Sequence, residues 1–117
     1  REVALNKMKT MSQYKFSLCF ENASYLGYVS EKIYDCIASG SIPIYLGAPD
    51  IADFVPPSCF IDFRKFKNYP ELHAYLRNMT DANIEKYRRE MLTFMRNEST
   101  LKKLEDFIRE IVAAKNI

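Results

Sequence analysis

Between Phe20 and Lys32 the chain reads FENASYLGYVSEK, and this run holds the residues with the most to offer a ligand. Asn22 carries a donor and an acceptor, which suits a phosphate, a hydroxyl or a base edge. Ser30 and Glu31 read as the opening of a helix, where unpaired N–H groups and a partial positive charge favour an anion. Lys32 adds a full positive charge at that helix start, against the local dipole, so an external anion accounts for its position better than helix stability does. Glu31 is a favourable first-turn acid, and its carboxylate can also accept paired hydrogen bonds from a sugar or ribose diol. The same residues fit plainer roles, Glu31 and Lys32 as a solvated helix start and Asn22 as a turn residue. By themselves they indicate an anion or nucleotide site. The run contains no GxGxxG and no Walker pattern, which argues against dinucleotide oxidoreductases and P-loop enzymes.

The elements that must position these residues are legible on either side. Tyr14 to Phe20 is aromatic and apolar and too short for a typical helix, so it reads as a buried strand that turns at Glu21 and Asn22. Ser30 is placed as an N-cap, and Ile33, Cys36 and Ile37 form an apolar face up to Ser39, with Gly40 as the C′ residue. Ile42 to Leu46 follows as a second short strand. Strand, loop, helix, strand is the βαβ unit of a parallel sheet, and ligands of such sheets bind at the carboxyl ends of the strands. A further strand is expected over Cys59 to Phe63, a helix from Pro70 to about Asn78, and another capped by Thr80 or Asp81 through Ile84, Tyr87, Met91 and Phe94. Leu101, Leu104, Phe107, Ile108, Ile111 and Val112 make an apolar stripe at helical spacing, suited to packing on the sheet, on another domain or on a second copy.

Composition narrows the classes. The chain has 117 residues, 48% of them hydrophobic and 27% charged, as expected for one globular core. Its net charge of +2 comes from scattered basic residues, which gives no nucleic-acid footprint yet suits a small anion. No apolar run approaches the roughly 20 residues of a membrane span. Cys19, Cys36 and Cys59 lack CxxC spacing and read as buried free thiols. His73 is the only histidine, so a zinc site is not expected. Arg1 at the first position and an opening helix-like stretch without an evident partner suggest a segment of a longer protein.

The stretch YKFSLCFENASYLGYVSEKIYDCIASGSIPIYLGAPDIADFVPPSCFIDFRKF resembles the signature region of the fucosyltransferases of glycosyltransferase family ten. The match holds YKF, FEN, Y-V-S-EK, P-I, LG and PP-S-C-F-I in order, from Tyr14 to about Phe66. It implies an α/β fold, a Rossmann-like parallel sheet flanked by helices with a helical C-terminal part, forming the C-terminal half of a GT-B type glycosyltransferase. It also implies that residues 1–117 are the domain that holds GDP-fucose, with Asn22, Tyr28, Val29, Ser30, Glu31 and Lys32 at the site. Lys32 would offset diphosphate charge, in the ground state and as GDP leaves, and the Ser30-Glu31 helix start would add backbone donors. Glu31 would hold a ribose or fucose hydroxyl or face the charge developing at the anomeric carbon. Tyr14, Lys15 and Phe16 would support the strand, and Glu21 receives no role.

In members of that family the catalytic base is a carboxylate of the N-terminal domain, and a second basic residue for the diphosphate also lies upstream. Isolated transfer activity is therefore not expected. No metal cofactor is implied, although divalent ions can stimulate such enzymes. The acceptor is expected to be an N-acetylglucosamine or glucose unit of a glycan, met through the N-terminal domain. The residues after Lys32 and Tyr45 look closer to bacterial members, which implies a cytoplasmic or membrane-peripheral enzyme. Asn-x-Ser/Thr triplets at Asn22, Asn78 and Asn97 keep a Golgi-lumen origin as the alternative.

Overall fold

The computed structural model describes residue 6, residues 9–97 and residues 108–114. Three parallel strands, β1 (Phe16–Phe20), β2 (Ile42–Leu46) and β3 (Ile61–Asp62), lie side by side in chain order. Helix α1 (Glu31–Ser39) makes the crossover from β1 to β2, and α2 (Tyr69–Arg77) and α3 (Asp81–Asn97) follow β3. This is the parallel, helix-flanked α/β sheet with a helical C-terminal part expected from the pattern.

Local chemistry sets the element boundaries. Ser30 caps α1, its hydroxyl accepting from the Lys32 amide at 3.4 Å, and Glu31 occupies the first turn. Gly40 ends the helix at φ 84°, a left-handed conformation that disfavours any residue with a Cβ, and its N–H reaches the Ile37 carbonyl at 3.0 Å. Ile33, Cys36 and Ile37 point from α1 into the core, as the i, i+3, i+4 spacing requires. In α2, Asn68 accepts from the Glu71 amide at 2.9 Å and Pro70 sits in the first turn, where its absent N–H costs nothing. At the start of α3, Thr80 accepts from the Asn83 amide at 3.1 Å.

The core gathers Ile33, Cys36 and Ile37 of α1, Ile42, Ile44 and Tyr45 of β2, Ile61 of β3, and Ile84, Met91 and Phe94 of α3. Cys19, Cys36 and Cys59 are buried and none is in a disulfide. Buried Ser41 is satisfied by the Ser17 hydroxyl at 2.7 Å.

Two expectations need correction. The first strand starts at Phe16, two residues later than the aromatic run suggested, and Tyr14 is exposed. It lies at the edge of the sheet, so it is not wholly buried: Leu18 is 60% exposed while its neighbour Cys19 is enclosed. The third strand is only Ile61–Asp62, because Pro57–Cys59 and Phe63–Lys65 form 3-10 turns around it. Proline at the start of the first turn and the Asp62 carboxylate, which accepts from the Arg64 amide at 2.9 Å, stop strand pairing on both sides. Of the C-terminal stripe, Ile108, Ile111 and Val112 are helical but exposed, so they do not pack on this sheet. Leu101, Leu104 and Phe107 lie outside the described residues.

Candidate functional site

The carboxyl end of β1 delivers Glu21, and that residue organises the site. Its amide donates to the Leu46 carbonyl at 2.8 Å, which continues the β1–β2 ladder one step beyond the strand. Its side chain is fully enclosed. There the carboxylate accepts the Ser30 amide at 2.8 Å, the Ser30 hydroxyl, and the Tyr45 hydroxyl at 3.1 Å. Lys32 completes the surroundings, its ammonium 3.7 Å from the carboxylate and its side chain 30% exposed. Burial works to raise the pKa of Glu21, but the donors from Ser30 and Tyr45 and the Lys32 charge outweigh it and hold the group below the ordinary carboxylate value. Glu21 is therefore an anion near neutral pH.

Tyr45 and Gly47 form the floor beneath it. The Tyr45 hydroxyl donates to Glu21 and accepts the Ala48 amide at 3.1 Å, so both ends of the hydroxyl are used. Burial, together with the Glu21 charge beside it, pushes its pKa up to about 12, and it remains a neutral donor. Gly47 meets the Glu21 side chain so closely that a Cβ there would lie 2.3 Å from the Glu21 Cγ and 2.6 Å from the Tyr45 hydroxyl. No φ restriction applies at this glycine. Space alone requires it.

The loop from Asn22 to Val29 is pinned to the turn after β2. Ser24 donates to the Gly47 carbonyl at 2.8 Å, the Arg64 guanidinium bridges the same carbonyl and the Ser24 hydroxyl, and Asp50 accepts the Gly27 amide at 2.9 and 3.1 Å. Tyr25 and Tyr28 meet edge to face with centroids 4.9 Å apart.

The structure brings the expected residues to one end of the sheet but gives them unequal settings. Ser30 and Lys32 are tied to Glu21. Glu31 stands exposed on the first turn of α1, and Asn22 is exposed directly after Glu21. Tyr28 is half-buried against Tyr25, whereas Val29 packs on the core and its amide donates to the Gly27 carbonyl at 3.1 Å. Lys15 takes part through its carbonyl, which accepts the Ile42 amide at 2.8 Å, and Phe16 packs on the core, in keeping with a supporting role. Sequence reasoning missed Glu21, Tyr45 and Gly47. The signal available was an acid at the end of an apolar strand, a position where burial demands partners.

A small cavity of about 280 Å³ lined by Met11, Leu18, Cys19, Phe20 and Lys32 opens beside β1. A larger groove of about 500 Å³ lies elsewhere, between Ser58, Tyr75, Asn78, Met79, Asn83, Lys86 and Tyr87. Its size does not make it the site, since it opens beside the segment entering β3 and not at the strands' carboxyl ends. Among the described residues no cluster of three or more His, Cys, Asp or Glu could hold a metal ion.

Residues 2–110 match the model of the glycosyltransferase family 10 (fucosyltransferase) C-terminal domain. The chain is 47% identical over 72 residues to the alpha-(1,3)-fucosyltransferase FucT of Helicobacter pylori, covering 62% of this chain and 15% of that protein. It is 48% identical over 71 residues to an alpha-(1,4)-fucosyltransferase of Arabidopsis thaliana, covering 61% and 18%. With alpha-(1,3)-fucosyltransferase 4 of Mus musculus it shares 39% identity over 90 residues, 74% of this chain and 20% of that one. It thus spans about a fifth or less of these relatives' length. A crystal structure of an alpha1,3-fucosyltransferase with GDP-fucose superposes with a TM-score of 0.62 at 42% identity, covering 74% of this chain and 25% of that one. The complex with GDP gives the same values. A parallel sheet ending in a pinned loop and a capped helix, a family match over most of the chain and the superposition agree: this chain belongs to glycosyltransferase family 10, the fucosyltransferases, and corresponds to their C-terminal domain.

Proposed function

We propose that this chain is the GDP-fucose-holding domain of an inverting α-1,3/α-1,4-fucosyltransferase, residues 1–117 forming one donor-binding unit. The observation that carries the proposal is the grouping of Asn22, Ser30, Glu31 and Lys32 around the carboxyl end of β1, with the cation beside a helix start. Lys32 is only partly enclosed, so it can meet a diphosphate while keeping most of its stem in protein. The α1 first turn adds its dipole. Asn22 and Glu31 offer hydrogen-bonding groups to the sugar, the ribose or the base.

In the transfer step an acceptor hydroxyl of an N-acetylglucosamine or glucose unit attacks the anomeric carbon from the face opposite GDP. The new C–O bond forms as the bond to the β-phosphate oxygen breaks, GDP leaves with that electron pair, and the acceptor proton passes to a base outside this chain. Lys32 lowers the cost of charge on departing GDP, and Glu31 either holds a hydroxyl of the donor or faces the positive charge at the anomeric carbon. No metal is assigned a step. The acceptor glycan is met through an N-terminal domain, and any membrane contact is a property of the full-length protein. The proposed setting is a bacterial enzyme, cytoplasmic or membrane-peripheral; a Golgi enzyme is the alternative, and glycan attachment at Asn22 would then obstruct the site.

Calorimetric titration with GDP-fucose, GDP and UDP, beside a Lys32→Ala variant, tests the reading. Guanine ligands should bind selectively and weaken by about tenfold in the variant, the scale of one charge-assisted contact. Tighter UDP binding would move the chain to another nucleotide sugar. Absence of binding by both this chain and a complete protein containing it would leave a non-catalytic scaffold.

A further inference from the structure

We propose that Glu21 is a positioning residue of the donor site: seated on Gly47, its buried carboxylate sets the first turn of α1 through Ser30 and gives Lys32 its resting place. The inference rests on the nucleotide reading of this site and assigns work to residues that reading leaves unused. Glu21 joins three segments distant in sequence, the end of β1, the α1 cap and the end of β2, through Ser30 and Tyr45. Its contacts divide into two kinds. The amide and hydroxyl of half-buried Ser30 and the hydroxyl of buried Tyr45 make direct hydrogen bonds, while the Lys32 ammonium stands at 3.7 Å and its side chain is partly exposed. Lys32 can therefore turn toward an arriving diphosphate without leaving Glu21 unpartnered.

Charge alone makes Glu21 a poor choice for an anion site. A buried carboxylate beside Lys32 weakens the field that a diphosphate would meet. Its placement is accounted for by what it holds in register, because the unpaired Ser30 amide and a loose first turn would aim the α1 donors and Lys32 less well. Gly47 supplies the second half of the device. Any side chain there would take the space of the Glu21 Cγ, so this glycine fixes the height at which the carboxylate lies.

The two accounts of Glu21 predict opposite signs. Glu21→Gln keeps shape and removes charge: electrostatics alone tightens GDP binding, whereas lost positioning weakens it by roughly three- to tenfold, the effect of loosening a preorganised site. Gly47→Ala keeps every charge and dislodges the same side chain, and it should weaken GDP by a similar factor. Combined, the two substitutions should be no worse than the stronger one, because both act through one displaced group. GDP is the probe, circular dichroism verifies that each variant is folded, and the Ser30 amide resonance is followed without ligand.

In Glu21→Gln the Ser30 amide proton should shift upfield and exchange faster. Unchanged or tighter GDP binding in Glu21→Gln, or additive losses in the double variant, overturns the proposal. Should neither this chain nor a complete protein containing it bind GDP, the donor reading fails separately, and the Ser30 amide decides whether Glu21 holds the turn.

Discussion

Two ends of this domain are built on different physics. At the carboxyl ends of the strands, a buried carboxylate with matched donors ties Glu21, Ser30, Lys32 and Tyr45 together over a glycine. On the flank formed by α2 and α3, Leu72, Ile84, Met91 and Phe94 bury apolar surface, and the polar groups lie at the surface, as in the Tyr75–Tyr87 hydroxyl pair at 3.3 Å. Apolar packing tolerates small shifts, because its energy follows area and not direction. A buried charge does not, since each donor must stay within hydrogen-bond reach. The difference separates stability from placement: the flank holds the fold, and the strand ends aim it.

Substitutions should divide along the same line. Met91→Ala, in the flank core, should cost about 3 kcal/mol in denaturant unfolding while the folded fraction binds GDP unchanged. A matching loss of GDP affinity would break the separation. Tyr45→Phe should cost roughly 1–3 kcal/mol, because it takes a donor from Glu21 and leaves the enclosed Ala48 amide without its acceptor. Unlike Met91→Ala, it should also weaken GDP. A stability loss without an effect on GDP would assign Tyr45 to the core alone.

Acid should act on the strand ends by a sign that follows from Glu21. Its folded value lies below 4.5, so its contribution is present above the unfolded value and is lost as pH falls through the folded one. Stability measured downward from pH 5 should fall more steeply in the unsubstituted protein than in Glu21→Gln. Parallel curves would remove Glu21 from the acid response. The smallest effect is expected at the flank surface, where Tyr87→Phe should stay within about 0.5 kcal/mol.

The same contrast explains what the sequence revealed. Helix α1 is legible to the residue, from the Ser30 cap to Gly40, because capping depends on neighbours within a turn. The Ile42–Leu46 strand is equally clear from its apolar run. The residues at the strand ends could be named as polar groups near a helix start. Glu21 could not be given a role, because its partners lie 9 and 24 positions away and only the sheet brings them together. The aromatic content of β1 hid its edge position, which depends on which strand is next to it and not on its own residues. Proline and the Asp62 cap shortened β3 beyond what its apolar pattern suggested.

One measurement addresses the central claim directly. Amide resonances of the labelled chain are followed while GDP is added. Asn22, Tyr28, Val29, Ser30, Glu31 and Lys32 should shift together at one affinity, while Asn78, Asn83, Lys86 and Tyr87 around the larger groove stay in place. Shifts at the groove with a silent Ser30-Lys32 turn would contradict the placement of the donor at the carboxyl end of the sheet.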